Sequence, residues 1–256
     1  RSMLTGCACR QLLACGLVYG LDAYEMLPNG TLGATTAGTD AREGFTFGQS
    51  AFDCTEDPLS GAILVANFFH NNELAVFSAG FRARLYDSIM PDSTPSAAVR
   101  AMAFDRHGRL LALVDESLGL GASQLHLIAY EVGRDGAGVP ANLTEVHKRT
   151  LFQNGEYFVP RLGGGVDDDC AAPDTLYYMD AYTEGEDAAA WFVRVLRVNT
   201  SALDQPPVAW LDQRHIDVPR KALCRAGELL MLDQFLGGAR AYARATAERG
   251  AAAQPD

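Results

Sequence analysis

The 256-residue sequence predicts an all-β fold, a β-propeller of four-stranded antiparallel blades, with about five blades present and the chain expected to be part of a six- or seven-bladed ring. Three observations lead there. One cassette recurs along the chain: a short strand, a tight Asp/Gly turn, an apolar strand closing on Asp or Asn, then a further strand. Its apolar runs are short and bounded by Gly, Pro, Asn or Asp, as strands are. Helical periodicity is nearly absent. Only Gly238–Arg249 reads as helix, and it fits the cassette better as strand.

Taken in order, a weak copy opens at Gly16–Asp22, and the first clear one runs Ala51–Asp53, Gly61–Asn67 and Glu73–Phe77. The next runs Ala101–Asp105, Arg109–Asp115 and Gln124–Tyr130; a third has Gly165–Asp167, Asp174–Asp180 and Trp191–Val198. The last has Lys221–Cys224, Gly227–Asp233 and Ala239–Tyr242. Closing Asp or Asn residues at 22, 67, 115, 180 and 233 are 45, 48, 65 and 53 residues apart, near a propeller blade with loop insertions. The second strand of each copy is almost wholly apolar because both its faces are expected to pack on neighbours. The third alternates in part, with Leu125, Leu127 and Ala129 on one face. The charged stretches Arg82–Tyr86 and Val146–Phe152, and the apolar Val208–Leu211, are read as the outer edge strands. These readings divide the chain into an N-terminal segment 1–15, a propeller 16–244 and a flexible tail 245–256. The blades fall near 16–45, 46–95, 96–160, 161–215 and 216–244.

Composition narrows the function. With 21 Lys+Arg against 32 Asp+Glu the net charge is −11, and no basic run exists. That excludes the electrostatic footprint of a nucleic-acid binder. No apolar stretch reaches the roughly 20 residues of a membrane-spanning helix. Cys7, Cys9, Cys15, Cys54, Cys170 and Cys224 are too sparse for a disulfide-built scaffold, and no CxxC pair exists. They read as buried or free thiols, or as one or two bridges within the N-terminal trio or from it to the closing blade. Two lipobox-like sites, ending at Cys7 and Cys15, lack the preceding apolar run. Sequons at Asn29, Asn142 and Asn199 fall at expected turns and favour a secreted or extracellular glycoprotein.

The pairing of Gly61–Asn67 with Glu73–Phe77, and the Asp105–Leu111 turn-and-strand, resemble the blade signature of YVTN/lactonase-type propellers, whose members include 6-phosphogluconolactonase-like and gluconolactonase or NHL-like proteins. The third and fourth copies depart from it, with Val166–Cys170 and Leu223–Ala226 where an Asp-x-x-Gly turn is expected. The resemblance covers the blades and implies little about the reaction, since one fold hosts many functions. In a propeller the loops after second strands gather on one face. Asp22, Asn67, Asp115, Asp180 and Asp233 would then line a channel mouth as oxygen ligands for Ca²⁺ or another divalent metal. The resemblance implies that such an ion polarises a lactone carbonyl or activates water while a carboxylate acts as base. Asp115, the adjacent Glu116, and His70 in the loop Phe68–Asn72 are the candidate catalytic groups. An Asp or Asn closing a strand also caps its loop through an Asx turn, which is the structural alternative for each position. The acidic run Asp167–Asp169 lacks EF-hand spacing and reads as a solvated loop.

Nucleophile-elbow, phosphate-loop and zinc-protease motifs are absent. Two functions stay open: a lactonase-type hydrolase acting on a sugar lactone or related ester, and a non-catalytic propeller binding an extracellular protein or glycan.

Overall fold

The computed structural model describes residues 2–6, 11–16, 20–26, 32–35, 51–67, 73–91, 97–105, 107–119, 122–153, 175–183, 191–215, 219–225, 228–233 and 239–243. These form an all-β architecture of antiparallel up-and-down sheets, the blade unit of a propeller, with no α-helix among the described residues. The first sheet contains β1 (Ser2–Gly6), β2 (Gln11–Gly16), β3 (Gly20–Met26) and β4 (Leu32–Thr35). The second has β5 (Ala51–Glu56), β6 (Ile63–Asn67), β7 (Leu74–Phe77) and β8 (Arg84–Tyr86), with a 3₁₀ turn at Ala79–Phe81. The third is the longest, with β9 (Ala97–Phe104), β10 (Leu110–Gly119), β11 (Ala122–Arg134) and β12 (Pro140–Gln153). Three described strands form the fourth, β13 (Thr175–Thr183), β14 (Trp191–Asn199) and β15 (Val208–His215), and three the fifth, β16 (Pro219–Arg225), β17 (Glu228–Asp233) and β18 (Ala239–Ala243). In every sheet neighbouring strands are consecutive in sequence. Two compact units result, residues 1–154 with the first three sheets and 155–256 with the last two.

Two expectations change. Within the segment 1–15 read as lying ahead of the propeller, Ser2–Gly6 is β1 and Gln11 onward is β2 (Gln11–Gly16), both in the first sheet. Asp22 consequently lies in β3, a third strand, because two strands precede it. Within the ambiguous segment 238–249, Ala239–Ala243 is strand β18, and the remainder lies outside the described residues. The opening strand expected at 165–167 and the tail 245–256 lie outside the described residues.

The core of the first unit lies between its second and third sheets. Alternation puts Ala62, Leu64, Ala66, Leu74 and Val76 on one face of the second sheet. They cluster with Val99, Met102, Leu110, Ala112, Val114, Ile128 and Tyr130 of the third, all nearly excluded from solvent. The opposite faces are buried too: Ile63, Val65 and Phe77 in one sheet, and Leu111, Leu127 and Ala129 in the other. That accounts for the unbroken apolar runs of β6 and β10. Tyr130, at the centre, has its phenol pushed well up by burial.

Turn chemistry sets the register. Gly61, Gly108 and Gly138 close hairpin turns at φ of +70°, +76° and +81°, a region that favours glycine. Asp105 Oδ1 accepts the amides of His107 and Arg109, and its Oδ2 meets the Arg109 guanidinium. Asp135 Oδ1 accepts those of Ala137 and Val139 in the same way. Asp57, fully buried, is held bidentately by Arg134 at 2.7 and 2.8 Å and accepts from Ser60. Burial pushes its carboxyl up, but the Arg134 and Ser60 hydrogen bonds outweigh that and hold it below the usual carboxylate range. Beside this pair Tyr86 donates to Asp135 at 2.7 Å. The β11–β12 hairpin of the third sheet is thus clasped to the β5–β6 turn and β8 of the second.

Candidate functional site

Ionisable groups gather where β10 runs out beyond the core. β9 carries one extra residue, Arg100, between the pairs Val99–Val114 and Ala101–Leu113. Such a bulge re-aims a side chain. Arg100 reaches Asp115, with Nη2 at 2.6 Å and Nε at 3.2 Å from Oδ2. Asp115 is the next residue after core-facing Val114, so strand alternation puts it on the opposite face of the sheet.

Glu116 lies on the core face beyond Val114. Its Oε2 is 2.9 Å from Lys148 Nζ on β12 and 3.0 Å from His126 Nε2 on β11. Glu116 remains one-third exposed while the imidazole is 3% exposed. Thr150 Oγ1 stands 3.1 Å from His126 Nδ1. The Nε2–Oε2 approach is close but lacks the alignment of a hydrogen bond, while Nδ1 shares one with the Thr150 hydroxyl. Burial lowers the His126 pKa, the nearby Lys148 charge lowers it further, and together they outweigh Glu116. The imidazole is therefore neutral at neutral pH. Lys148 holds Glu116 below the usual carboxylate range, so that group is ionised. A partly exposed carboxylate thus lies between an ammonium and a neutral imidazole.

The sequence singled out Asp115 and Glu116, and the structure separates them, since adjacent residues of a strand project to opposite faces. It missed Arg100, His126, Lys148 and Thr150. Only the strand register brings His126 opposite Val114 and next to Glu116.

The proposed ring of oxygen ligands does not share one register. Gly61 and Gly108 occupy the same turn position, and the sixth residue after each is Asn67 and Val114. The bulges agree: the extra residues Phe52, Arg100 and Arg220 sit before the pairs Asp53–Ala66, Ala101–Leu113 and Lys221–Leu232. Asn67, Val114 and Asp233 are therefore equivalent, and Asp115 is one residue further on. Asn67 and Asp233 do end their strands, but β10 continues past Asp115 to Gly119 and β13 past Asp180 to Thr183. Asp22, in a third strand, is not equivalent to the others. The side chains of Asp22, Asn67, Asp180 and Asp233, and all of His70, lie outside the described residues. Among the described residues no group of three or more His, Cys, Asp or Glu is placed to hold a metal ion. Asp115 fits such an ion poorly, because the guanidinium already on its carboxylate repels a second cation.

Asn142, expected in a turn, lies on strand β12 opposite Gly133, and it is exposed. Asn199 ends β14 and accepts the Ser201 amide in an Asx turn. Asn29 lies outside the described residues. No described helix is long and apolar enough to cross a membrane.

No family model and no curated protein matches the chain. Solved structures do resemble it. The nidogen/laminin complex matches at 12% identity over 93% of this chain and 90% of the other, with a TM-score of 0.45. The Pseudomonas aeruginosa periplasmic gluconolactonase matches at 10% identity over 91% and 63%, TM-score 0.45. A GH43 β-1,3-galactosidase matches at 10% identity over 89% and 51%, TM-score 0.48.

Proposed function

We propose that the chain is a hydrolase of the lactonase type, acting on a sugar lactone or related ester at the rim where β10, β11 and β12 end their core packing. One observation carries this reading: Glu116 Oε2 accepts a hydrogen bond from Lys148 Nζ and lies 3.0 Å from the buried His126 Nε2, while a third of the carboxylate side chain stays open to solvent. In the reaction, Glu116 takes a proton from water as the water oxygen attacks the lactone carbonyl. Lys148 faces the charge that develops on the carbonyl oxygen. As the ring carbon–oxygen bond breaks, the proton passes from Glu116 to the departing alkoxide, giving the hydroxy acid. His126 packs its buried ring against Glu116, and Thr150 orients that ring through Nδ1. Arg100 and Asp115, on the other face, hold the bulge of β9 in place.

The test is turnover of a panel of aldonolactones and aryl esters by the purified protein, with Glu116→Gln alongside. A loss of about 10²-fold or more in kcat at unchanged Tm is expected. Absence of turnover by the wild type across the panel, or Glu116→Gln retaining full activity, overturns the reading. Glycan or protein binding without turnover would then identify a scaffold.

A further inference from the structure

We infer that Cys54 is cross-linked to Cys15, so that a disulfide staples the first sheet to the second. Cys54 is disulfide-bonded and 2% exposed. A disulfide requires Cα atoms about 4.4–6.8 Å apart, so its partner belongs to a segment in direct contact with β5. Among the described strands, those packed most closely on β5 are β1, β2, β6 and β9. Their sequences are SMLTG, QLLACG, ILVAN and AAVRAMAF, and Cys15 in β2 is the one cysteine among them.

Face and register agree. Cys54 pairs with Val65, and neither belongs to the cluster that the second sheet shares with the third. Both therefore lie on the face away from β9–β12. Cys15 is inside its strand, between Met3 on β1 and Leu21 on β3, so the bridge would join the middle of one sheet to the next. Its formation converts two thiols to one S–S bond, releasing two protons and two electrons. A protein or small-molecule disulfide takes these up by thiol–disulfide exchange and is itself reduced to two thiols. A bridge enclosing 38 intervening residues removes substantial freedom from the unfolded chain. It also places folding in an oxidising compartment.

Trypsin tests the pairing without ambiguity. Cys15 falls in the fragment Gln11–Arg42, Cys54 in Glu43–Arg82, Cys7 and Cys9 in Ser2–Arg10, Cys170 in Leu162–Arg194 and Cys224 in Ala222–Arg225. The full chain is secreted into an oxidising medium, denatured, alkylated without reduction, digested and mapped by mass spectrometry. The expected result is Gln11–Arg42 joined to Glu43–Arg82, with the pair separating on reduction. In Cys15→Ser, Cys54 should be alkylated before any reductant is added. Cys54 joined to Ser2–Arg10, Leu162–Arg194 or Ala222–Arg225, or alkylated in the unreduced wild type, overturns the inference. This map reads covalent connectivity alone, so it stands or falls apart from the hydrolase.

Discussion

At the scale of single residues, buried carboxylates in this protein are kept by specific cations and amides. Asp57 illustrates the cost of losing one. Arg134→Ala leaves a fully buried carboxylate with Ser60 alone, and equilibrium unfolding should show a loss of about 3 kcal/mol. The double variant Arg134→Met with Asp57→Leu should recover much of it, since the charge that needed compensation is gone. Acid acts on the same group. Its folded pKa lies below the ordinary 3.8, so its contribution is complete above that value and is lost as pH falls further. His126 works in a higher window. Its pKa is below the ordinary 6.5, so the unfolded chain takes up the proton first and stability declines as pH drops below about 6.5. A pH series of Tm should therefore show two acid steps, and His126→Gln should remove the upper one. The turn aspartates were legible in the sequence because Asp-x-x-Gly is a local code. The partners of Glu116 were not, because His126 and Lys148 are close to it only through strand pairing.

At the scale of elements, turns and bulges fix which side chains face which way. Gly108 has φ +76° and open space around its missing Cβ, so Gly108→Ala measures backbone strain alone, about 1 kcal/mol. Gly136, also uncrowded and without a positive φ, should tolerate Ala with no loss. A reversed order in urea titrations would contradict the turn geometry. Phe81 is the one described non-glycine residue in the left-handed region, at φ 56°. Its ring is fully buried and meets Phe77 edge-on at 5.8 Å, and this packing holds the strained backbone. The bulge repeated on β5, β9 and β16 fixes which residues of the copies are equivalent. Asn67 and Asp115 look alike in sequence, but β10 has one more apolar residue before its acid, and a one-residue offset along a strand exchanges faces.

At the scale of the whole molecule, stability rests on burying both faces of the middle strands. Leu64→Ala and Leu110→Ala remove side chains fully excluded from solvent on opposite sides of one interface. Each should cost about 3 kcal/mol, and their double variant should deviate from additivity because both line the same core. The acidic surface has its own consequence. With a net charge of −11 and a pI near 4.9, the protein should be least soluble near pH 5, which turbidity against pH will show.

The sequence by itself determined the β class, the recurring cassette and the turn positions, because alternation, apolar run length and Asp/Gly turn chemistry are properties of neighbouring residues. Tertiary structure decided which sheet β1 and β2 join, which acids share a register, and that Glu116 meets His126 and Lys148. Those outcomes depend on pairing between residues distant in sequence, where a single bulge or one added residue turns a side chain to the other face.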